Sequence, residues 1–392
     1  MRVLHVIPSM GPLRGGPTQA LRALAREQAR LGLGVTIATT DDNGPGLLPL
    51  PLNVPISDSG VSTWYFRRQH RFYTVSRPLA SWVRANVPCH DVVHIHALFS
   101  YPSVVAAREA ARQAVPYVVR PLGTLNRWGM RNRRPALKRL SFALIERRIL
   151  CRAGAVHFTS GLEADEARDV WAGRNGAVIP LGLPDDAFAP RMDRSACLRR
   201  LRLAADAQVV LFLSRLDPKK GLEVLISAFA EIAPRFDCAV LIVAGDGSPE
   251  YVARLRALVT ALGIGSRILF TGFLDDEEKR VAFGAADCFA LPSRSENFGI
   301  APVEAMAAGV PVIVSPDTGI APDVARLSAG DVVPCDARAL ASALYRLLSS
   351  PALRDAYAAN GSKAAAREFS MARTARQLCE LYATIAPQRC AA

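Results

Sequence analysis

The stretch from Leu291 to Ser315, L-P-S-R-S-E-N-F-G-I-A-P-V-E-A-M-A-A-G-V-P-V-I-V-S, constrains this chain more than any other. Phe289–Leu291 reads as the end of a buried strand, and Pro292 behind it turns the backbone out of a sheet. Ser293–Gly299 is polar and closes on a glycine, where backbone can approach a ligand closely. Ala301–Ala308 favours helix and is stopped by Gly309, after which Val310–Val314 reads as the next strand. Seven residues separate Glu296 from Glu304, which puts the first on the loop and the second about one turn inside the helix. Both can point into the crevice outside the carboxyl ends of parallel strands, where open α/β sheets bind ligands. Two carboxylates there can accept hydrogen bonds from the vicinal hydroxyls of a small ligand. The N–H groups of Phe298, Gly299 and Ile300 open the helix and suit an anionic or polyhydroxyl group. Stripped of their neighbours, the two glutamates would read as a solvated loop residue and a helix-start acid.

A chain of 392 residues exceeds one compact core and implies two domains. Half of its residues are hydrophobic and 21% are charged, which excludes a disordered chain. No apolar run reaches the length of a membrane span, and M-R-V-L-H-V-I-P reads as a first strand, too short for a signal peptide. Eight scattered cysteines without a C-x-x-C spacing read as reduced thiols of a cytoplasmic protein, neither a disulfide frame nor a metal site. The net charge of +13 is uneven: up to Asp186 there are 24 Lys plus Arg against 13 Asp plus Glu, and beyond it 24 against 22. That asymmetry points to an anionic partner of the first half, with nucleic acid, an anionic membrane face and a diphosphate substrate all open at this stage.

In chain order, Arg2–Pro8 reads as a buried strand and Pro17–Leu31 as a helix, joined by S-M-G-P-L-R-G-G-P-T. Gly15 and Gly16 make this turn a site for phosphate or a close-lying substrate, although it is not the G-x-G-x-x-G of a nicotinamide cofactor site. Gly34–Thr40 is a second strand, Asp41–Ser59 a Pro/Gly-rich loop and Trp64–Phe66 a short strand. D-V-V-H-I-H gives a strand on which His94 and His96 share a face. No third ligand stands at a recognisable spacing, so a metal is not expected there; His94 reads as a core residue and His96 as a candidate for the ligand side. Tyr117–Arg120 is a strand ending in R-P-L-G-T-L-N-R-W.

From Arg127 to Arg152 there are nine Lys or Arg against the single acid Glu146. Leu137, Leu140 and Leu144, with Phe142, Ile145 and Ile149 on the adjoining face, have helical spacing. The segment reads either as a core-packing helix with a solvated basic face or as a surface for anionic lipid headgroups or a lipid-diphosphate acceptor. Nucleic acid is not expected, since no aromatic residues interleave with the charges. Pro180–Pro190 breaks regular structure and reads as the linker. Beyond it, R-L-D-P-K-K-G joins the strand Val209–Ser214 to the helix Leu222–Ala233. Arg215 and Lys220 on that turn are placed for a diphosphate, the arginine as a rigid fork and the lysine as a mobile point charge.

E-N-F-G-I-A-P-V-E-A-M-A-A-G-V-P-V-I resembles the donor-binding signature of the retaining nucleotide-sugar glycosyltransferases of family 4, and S-R-L-D-P-K-K-G resembles their diphosphate clamp. The resemblance implies the GT-B architecture: two doubly wound α/β domains facing across a cleft, residues 1–184 on the acceptor side and 185–369 on the donor side. A last helix, about residues 370–392, crosses back to the first domain. It implies transfer of a hexosyl unit from a nucleoside-diphosphate sugar to a glycan or lipid-linked acceptor, in cell-surface polysaccharide or lipid-linked glycan assembly. Arg215 and Lys220 would stabilise the leaving diphosphate, Glu296 would hold the transferred sugar and Glu304 the ribose. Gly15, Gly16, Gly245, Gly247, Phe273, Asn297, Phe298, Gly299 and Ile300 would line the donor. No Asp-x-Asp occurs in the chain, so neither a metal nor another cofactor is expected. Many family members place a histidine facing the reacting sugar where this chain has Leu122. That departure puts Arg120 or Asn126 forward to serve the site instead and motivates one alternative, a nucleotide-sugar binder without turnover; a nucleotide-sugar epimerase on the same architecture is the other.

Overall fold

The structure is a computed structural model that describes residues 1–131, 135–173 and 175–386. It divides into two compact units, Met1–Gly182 with Met371–Ala392, and Leu183–Ser370.

The first unit is built on eight strands: β1 (Arg2–Ser9), β2 (Gly34–Thr40), β3 (Pro55–Asp58), β4 (Val61–Phe66), β5 (Val92–His96), β6 (Tyr117–Arg120), β7 (Ala155–Phe158) and β8 (Gly176–Val178). Their order across the sheet is β8-β7-β6-β5-β1-β2-β4-β3, parallel throughout except for the β3/β4 pair at the edge. Every residue of β5, β6 and β7 is buried, as expected of strands covered by helices on both faces. Alternate residues feed two apolar clusters, Leu4, Val6, Val93 and Ile95 on one face and Val3, Ile7, Val35 and Val92 on the other. The helix Met371–Ile385 belongs to this unit and packs on the helix Gly16–Arg30. The stretch Asp41–Ser59 is not wholly loop. Asp42–Asn43 pairs with Gly46–Leu47, and β3 adds the edge strand, which opens on Pro55 where an edge tolerates a missing donor.

The basic segment does not follow the core-packing reading of its leucine stripe, one of the two left open by the sequence. It folds as the helices Arg127–Arg131, Pro135–Ser141 and Arg147–Arg152, with a π-helical turn over Phe142–Glu146; residues 132–134 lie outside the described residues. Leu137, Leu140 and Leu144 are 45%, 57% and 56% exposed, whereas Phe142, Glu146, Ile149 and Leu150 are buried. The Glu146 carboxylate is held inside by the hydroxyls of Tyr73 and Ser141, so the buried face of the helix is the one that carries the glutamate.

The second unit has six parallel strands: β9 (Gln208–Leu213), β10 (Ala239–Ala244), β11 (Ile268–Gly272), β12 (Cys288–Leu291), β13 (Val312–Val314) and β14 (Gly330–Val332). The order is β11-β10-β9-β12-β13-β14, the doubly wound order in which the direction of winding reverses between its first and fourth strands. Among the described residues, no helix is long and apolar enough to cross a membrane.

Candidate active site

The reversal of strand order in the second unit fixes where its chemistry gathers. The loop after β9 and the loop after β12 leave adjacent strands for opposite sides, opening the crevice in which such sheets hold ligands. The first loop carries a 3-10 turn, Pro218–Lys220, whose N-terminus is capped by the Asp217 side chain accepting from the Lys219 N–H at 3.1 Å. The second is pinned to it: Arg294 N–H donates to the Lys219 carbonyl at 2.7 Å, and Glu296 exchanges backbone bonds with Asp317 and Gly319 at 2.9 Å each. Across this seam the Lys220 ammonium donates to the Glu296 carboxylate, both side chains largely buried. Burial pushes the Lys220 ammonium down to about 7, helped by the nearby charges of Lys219 and Arg215 and opposed by Asp217. Arg215 itself is exposed at the end of β9. The structure thus brings together Arg215, Lys220 and Glu296, residues from two separate motifs.

Glu304 lies on the helix Ile300–Ala307, whose N-cap Gly299 has φ +96, a left-handed backbone suited to glycine. Burial pushes the Glu304 carboxyl up, while Lys279, 3.3 Å away on the helix Asp276–Ala285, pulls it down. Sequence reasoning missed Lys279. Its signal was a pair of bases, Lys279 and Arg280, following the helix-start acids Asp276, Glu277 and Glu278, next to a segment already singled out at Phe273. The Phe273 ring is 73% exposed at the end of β11, open to stacking. The Phe298 ring, by contrast, is buried edge-on against Phe369, so only its backbone is available to a ligand. Asn297 lies between Glu296 and Phe298 on the same loop. Gly245 and Gly247 approach protein rather than open space. A Cβ at Gly245 (φ +128) would lie 1.9 Å from the Ser214 carbonyl, and one at Gly247 2.4 Å from that of Leu216. Their role in this structure is to let the loop after β10 close on the loop that carries Arg215.

In the first unit, winding reverses between β1 and β5. Gly15 follows β1 with φ +68, and a Cβ at Gly15 or Gly16 would touch nothing within 4 Å, so this turn is open on its outer side. Three non-glycine residues adopt left-handed backbone just beyond β5 and β6: Ala97 (φ 75), Phe99 (φ 55) and Leu122 (φ 57). Such strain concentrates at sites where the backbone is held for a ligand.

Of the residues expected on the acceptor side, His96 and Arg120 are wholly buried and Asn126 is capping a helix. The Asn126 side chain accepts from the Gly129 N–H at 2.5 Å, starting Arg127–Arg131. His96 belongs to a buried hydrogen-bond chain. His5 Nε2 donates to Gln28 Oε1 at 2.8 Å, which leaves His5 Nδ1 to accept from His96 Nε2 at 3.0 Å. Gln28 Nε2 donates to the Tyr382 hydroxyl at 3.3 Å, and that hydroxyl lies 2.7 Å from His94 Nδ1. His5 supplies the third imidazole that spacing alone did not reveal, with ring nitrogens of His5, His94 and His96 within 4.8 Å of one another. Two features disfavour a cation there. The His5–His96 bond occupies two of the nitrogens, and the buried Arg120 charge lowers the proton affinity of all three rings.

Two family models divide the chain between them, the glycosyl transferase 4-like domain over residues 15–182 and glycosyl transferases group 1 over residues 194–364. A phosphatidyl-myo-inositol mannosyltransferase of Mycobacterium leprae is 38% identical over 182 residues, 46% of this chain and 47% of that protein. A D-inositol 3-phosphate glycosyltransferase of Corynebacterium efficiens is 36% identical over 220 residues, 55% of this chain and 51% of that protein. The chain therefore spans about half the length of the curated relatives it matches. Among solved structures, sucrose-phosphate synthase from Thermosynechococcus elongatus superposes with a TM-score of 0.80 at 24% identity, covering 98% of this chain and 99% of that one. HepE from Anabaena, solved in complex with UDP and glucose, gives 0.78 at 22%, covering 98% and 100%. These likenesses establish the fold, and the paired models the lineage: the chain is a family 4 glycosyltransferase with the GT-B fold.

Proposed function

We propose that the chain transfers a hexosyl unit from a nucleoside-diphosphate sugar to an acceptor hydroxyl, with retention at the anomeric carbon and without a metal. The observation that carries this reading is the Lys220–Glu296 pair, buried where the winding of the second sheet reverses, with Arg215 exposed beside it. As the glycosidic bond breaks, negative charge grows on the leaving diphosphate. Lys220, Arg215 and the N–H groups of Phe298, Gly299 and Ile300 are the preorganised donors for it. Glu296 then accepts from a hydroxyl of the transferred sugar and Glu304 from the ribose, so neither serves as a covalent nucleophile. Phe273 flanks the base and Asn297 the sugar, and the turn at Gly245–Gly247 closes on the loop that presents Arg215 to the diphosphate. The relatives named for mannosyl transfer and for inositol phosphate support a hexose donor and a phosphate-bearing acceptor, which suits the basic first half.

A thermal-shift panel of nucleotide sugars, free nucleoside diphosphates and dinucleotides, without and then with added metal, tests the reading. One nucleotide sugar is expected to raise Tm by several degrees without metal. The shift is expected to disappear in Glu304→Ala and to shrink in Lys279→Met, which leaves Glu304 without its counter-ion in a half-buried site. A shift with dinucleotides alone would remove the reading. The binder without turnover, motivated by Leu122, predicts the same shift but no release of nucleoside diphosphate on adding acceptor.

The same reading places the first unit against an anionic membrane face. Trp128, Leu137, Leu140 and Leu144 are exposed among Arg127, Arg131, Lys138, Arg139, Arg147 and Arg148, an apolar ridge inside a basic field. Pelleting with phosphatidylglycerol vesicles is expected to be strong at low salt and to fall steeply toward ~0.5 M salt, as screened surface charge requires. Pelleting that ignores salt, or none at all, would remove this assignment.

A further inference from the structure

A groove of about 360 Å³ runs along the first unit between the helix Tyr101–Arg112 and the segment 144–152. Its floor is hydrocarbon, from Val104, Ala107, Ala111 and Ile149, with Leu144 and Ile145 along one wall. Tyr117 also lines it, but its hydroxyl is already spent on the Ile149 carbonyl at 2.7 Å. Four arginines form the rim: Arg108, Arg112, Arg148 and Arg152. Arg112 is paired with Glu109 at 2.7 Å, whereas Arg108, Arg148 and Arg152 have no acidic partner among the described residues. The position in the fold is informative. Tyr117 opens β6, and Arg112 and Arg152 close helices that lead into β6 and β7. The groove therefore lies toward the amino-terminal end of the sheet, away from the turns after β1, β5 and β6, where the open glycine turn and the left-handed backbone are.

We propose that this groove holds one anionic phospholipid, with an acyl chain along the floor and the phosphate between the arginines. Its volume falls at the lower end of the roughly 300–1,000 Å³ range of small-molecule pockets. Charge complementarity selects the occupant. Arginine forks match phosphate oxygens in pairs, and a neutral lipid would leave three of them unanswered. An acidic peptide would need partners for its backbone, and the floor offers none. A free phosphate would leave the apolar floor wet. The π-helical turn at Phe142–Glu146 shapes the wall, presenting Leu144 and Ile145 outward while Phe142 and Glu146 stay buried. The bound lipid would convert a salt-sensitive encounter with the membrane into a seated one, and it is distinct from the acceptor of the reaction.

The proposal rests on the membrane reading above, and its test is separable from vesicle pelleting. The full chain is titrated calorimetrically with dihexanoylphosphatidylglycerol below its micelle concentration. Parallel titrations use dihexanoylphosphatidylcholine and glycerol 3-phosphate. Saturable binding of one phosphatidylglycerol per chain is expected, with either control weaker by about tenfold or more. Ala111→Trp, which fills the groove from an exposed position, and Arg148→Glu, on the exposed rim, are each expected to weaken binding by a similar factor. Equal binding of phosphatidylcholine, whose phosphate is already balanced by its choline cation, would overturn the selection for an anionic lipid. Equal binding of glycerol 3-phosphate would reduce the site to a simple anion patch. Unchanged affinity in both variants would remove the groove as the location. Vesicle pelleting with no short-chain binding would leave surface docking standing and sink the groove.

Discussion

Replacing Lys220 by alanine is expected to lower kcat by about 10²–10³-fold, measured as acceptor-dependent release of nucleoside diphosphate from the nucleotide sugar that stabilises the protein most. The size follows from where the ammonium sits. It is buried, and it is carried on a turn capped by Asp217 and tied to the neighbouring loop. Its partner in the structure is Glu296, so the donor must draw Lys220 from a carboxylate to a phosphate, an exchange between two anions in one preorganised place. The same variant leaves Glu296 largely buried without a counter-ion. Breaking such pairs costs roughly 3–5 kcal/mol, enough to lower Tm visibly. Lys220→Ala/Glu296→Gln separates the two effects. The neutral amide removes the unpaired charge and is expected to restore most of the lost Tm, while turnover stays low because neither the charge on the leaving group nor the carboxylate that holds the sugar is replaced. Recovery of turnover together with Tm would mean that Lys220 serves the fold and not the reaction.

The loop-and-helix units around Lys220 and Glu296 were legible because strands buried on both faces leave nearly continuous apolar runs, and the turns between them stand out as glycine, proline and charge. Which residues meet was not legible. Lys220 and Glu296 are 76 positions apart, and their contact depends on β9 and β12 being neighbours in the sheet. Lys279 was overlooked because a base after three acids looks like a solvated helix start, and only the packing of Asp276–Ala285 near Ile300–Ala307 brings it to Glu304. Which of the two readings of the basic segment holds was not legible for a different reason. Leu137, Leu140 and Leu144 have the right period, but period identifies a stripe without saying which stripe the core takes. The hydroxyls of Tyr73 and Ser141 satisfy Glu146, which allows a charged residue to face inward and leaves the leucines outside. His96 was misjudged because a strand's carboxyl end is near the ligand only if no helix covers it, and Met371–Ile385 delivers Tyr382 to that histidine cluster from far along the chain.

Acidification is expected to destabilise the first unit and spare the second. All six histidines lie in the first unit, and the second has none, so the chain carries its own control. Burial lowers His5 to about 4 and His157 to about 3, and holds His94 and His96 well below the ordinary imidazole value of 6.5. Arg120, buried among them, pushes all four the same way. The folded state therefore keeps these rings neutral at pH values where the unfolded chain would protonate them. Stability contributed by that difference is full above about 6.5 and is lost as pH falls toward the folded values. Each group contributes a slope of at most about 1.4 kcal/mol per pH unit, so the four together approach about 5 kcal/mol per pH unit once all are engaged. Protonating His94 or His96 would also put charge beside Arg120 and break the bond chain through Gln28 and Tyr382 that ties Met371–Ile385 to the sheet. Hydrogen exchange by mass spectrometry, corrected for intrinsic rates, reads both units in one sample. Protection in β1, β5 and Met371–Ile385 is expected to fall sharply between pH 7.5 and 5.5, while β9, β10 and β12 hold theirs. Equal loss in both units would assign the acid effect to general charge repulsion in a chain of net charge +13, and no loss in either would mean that the buried rings find proton-accepting partners as the pH falls.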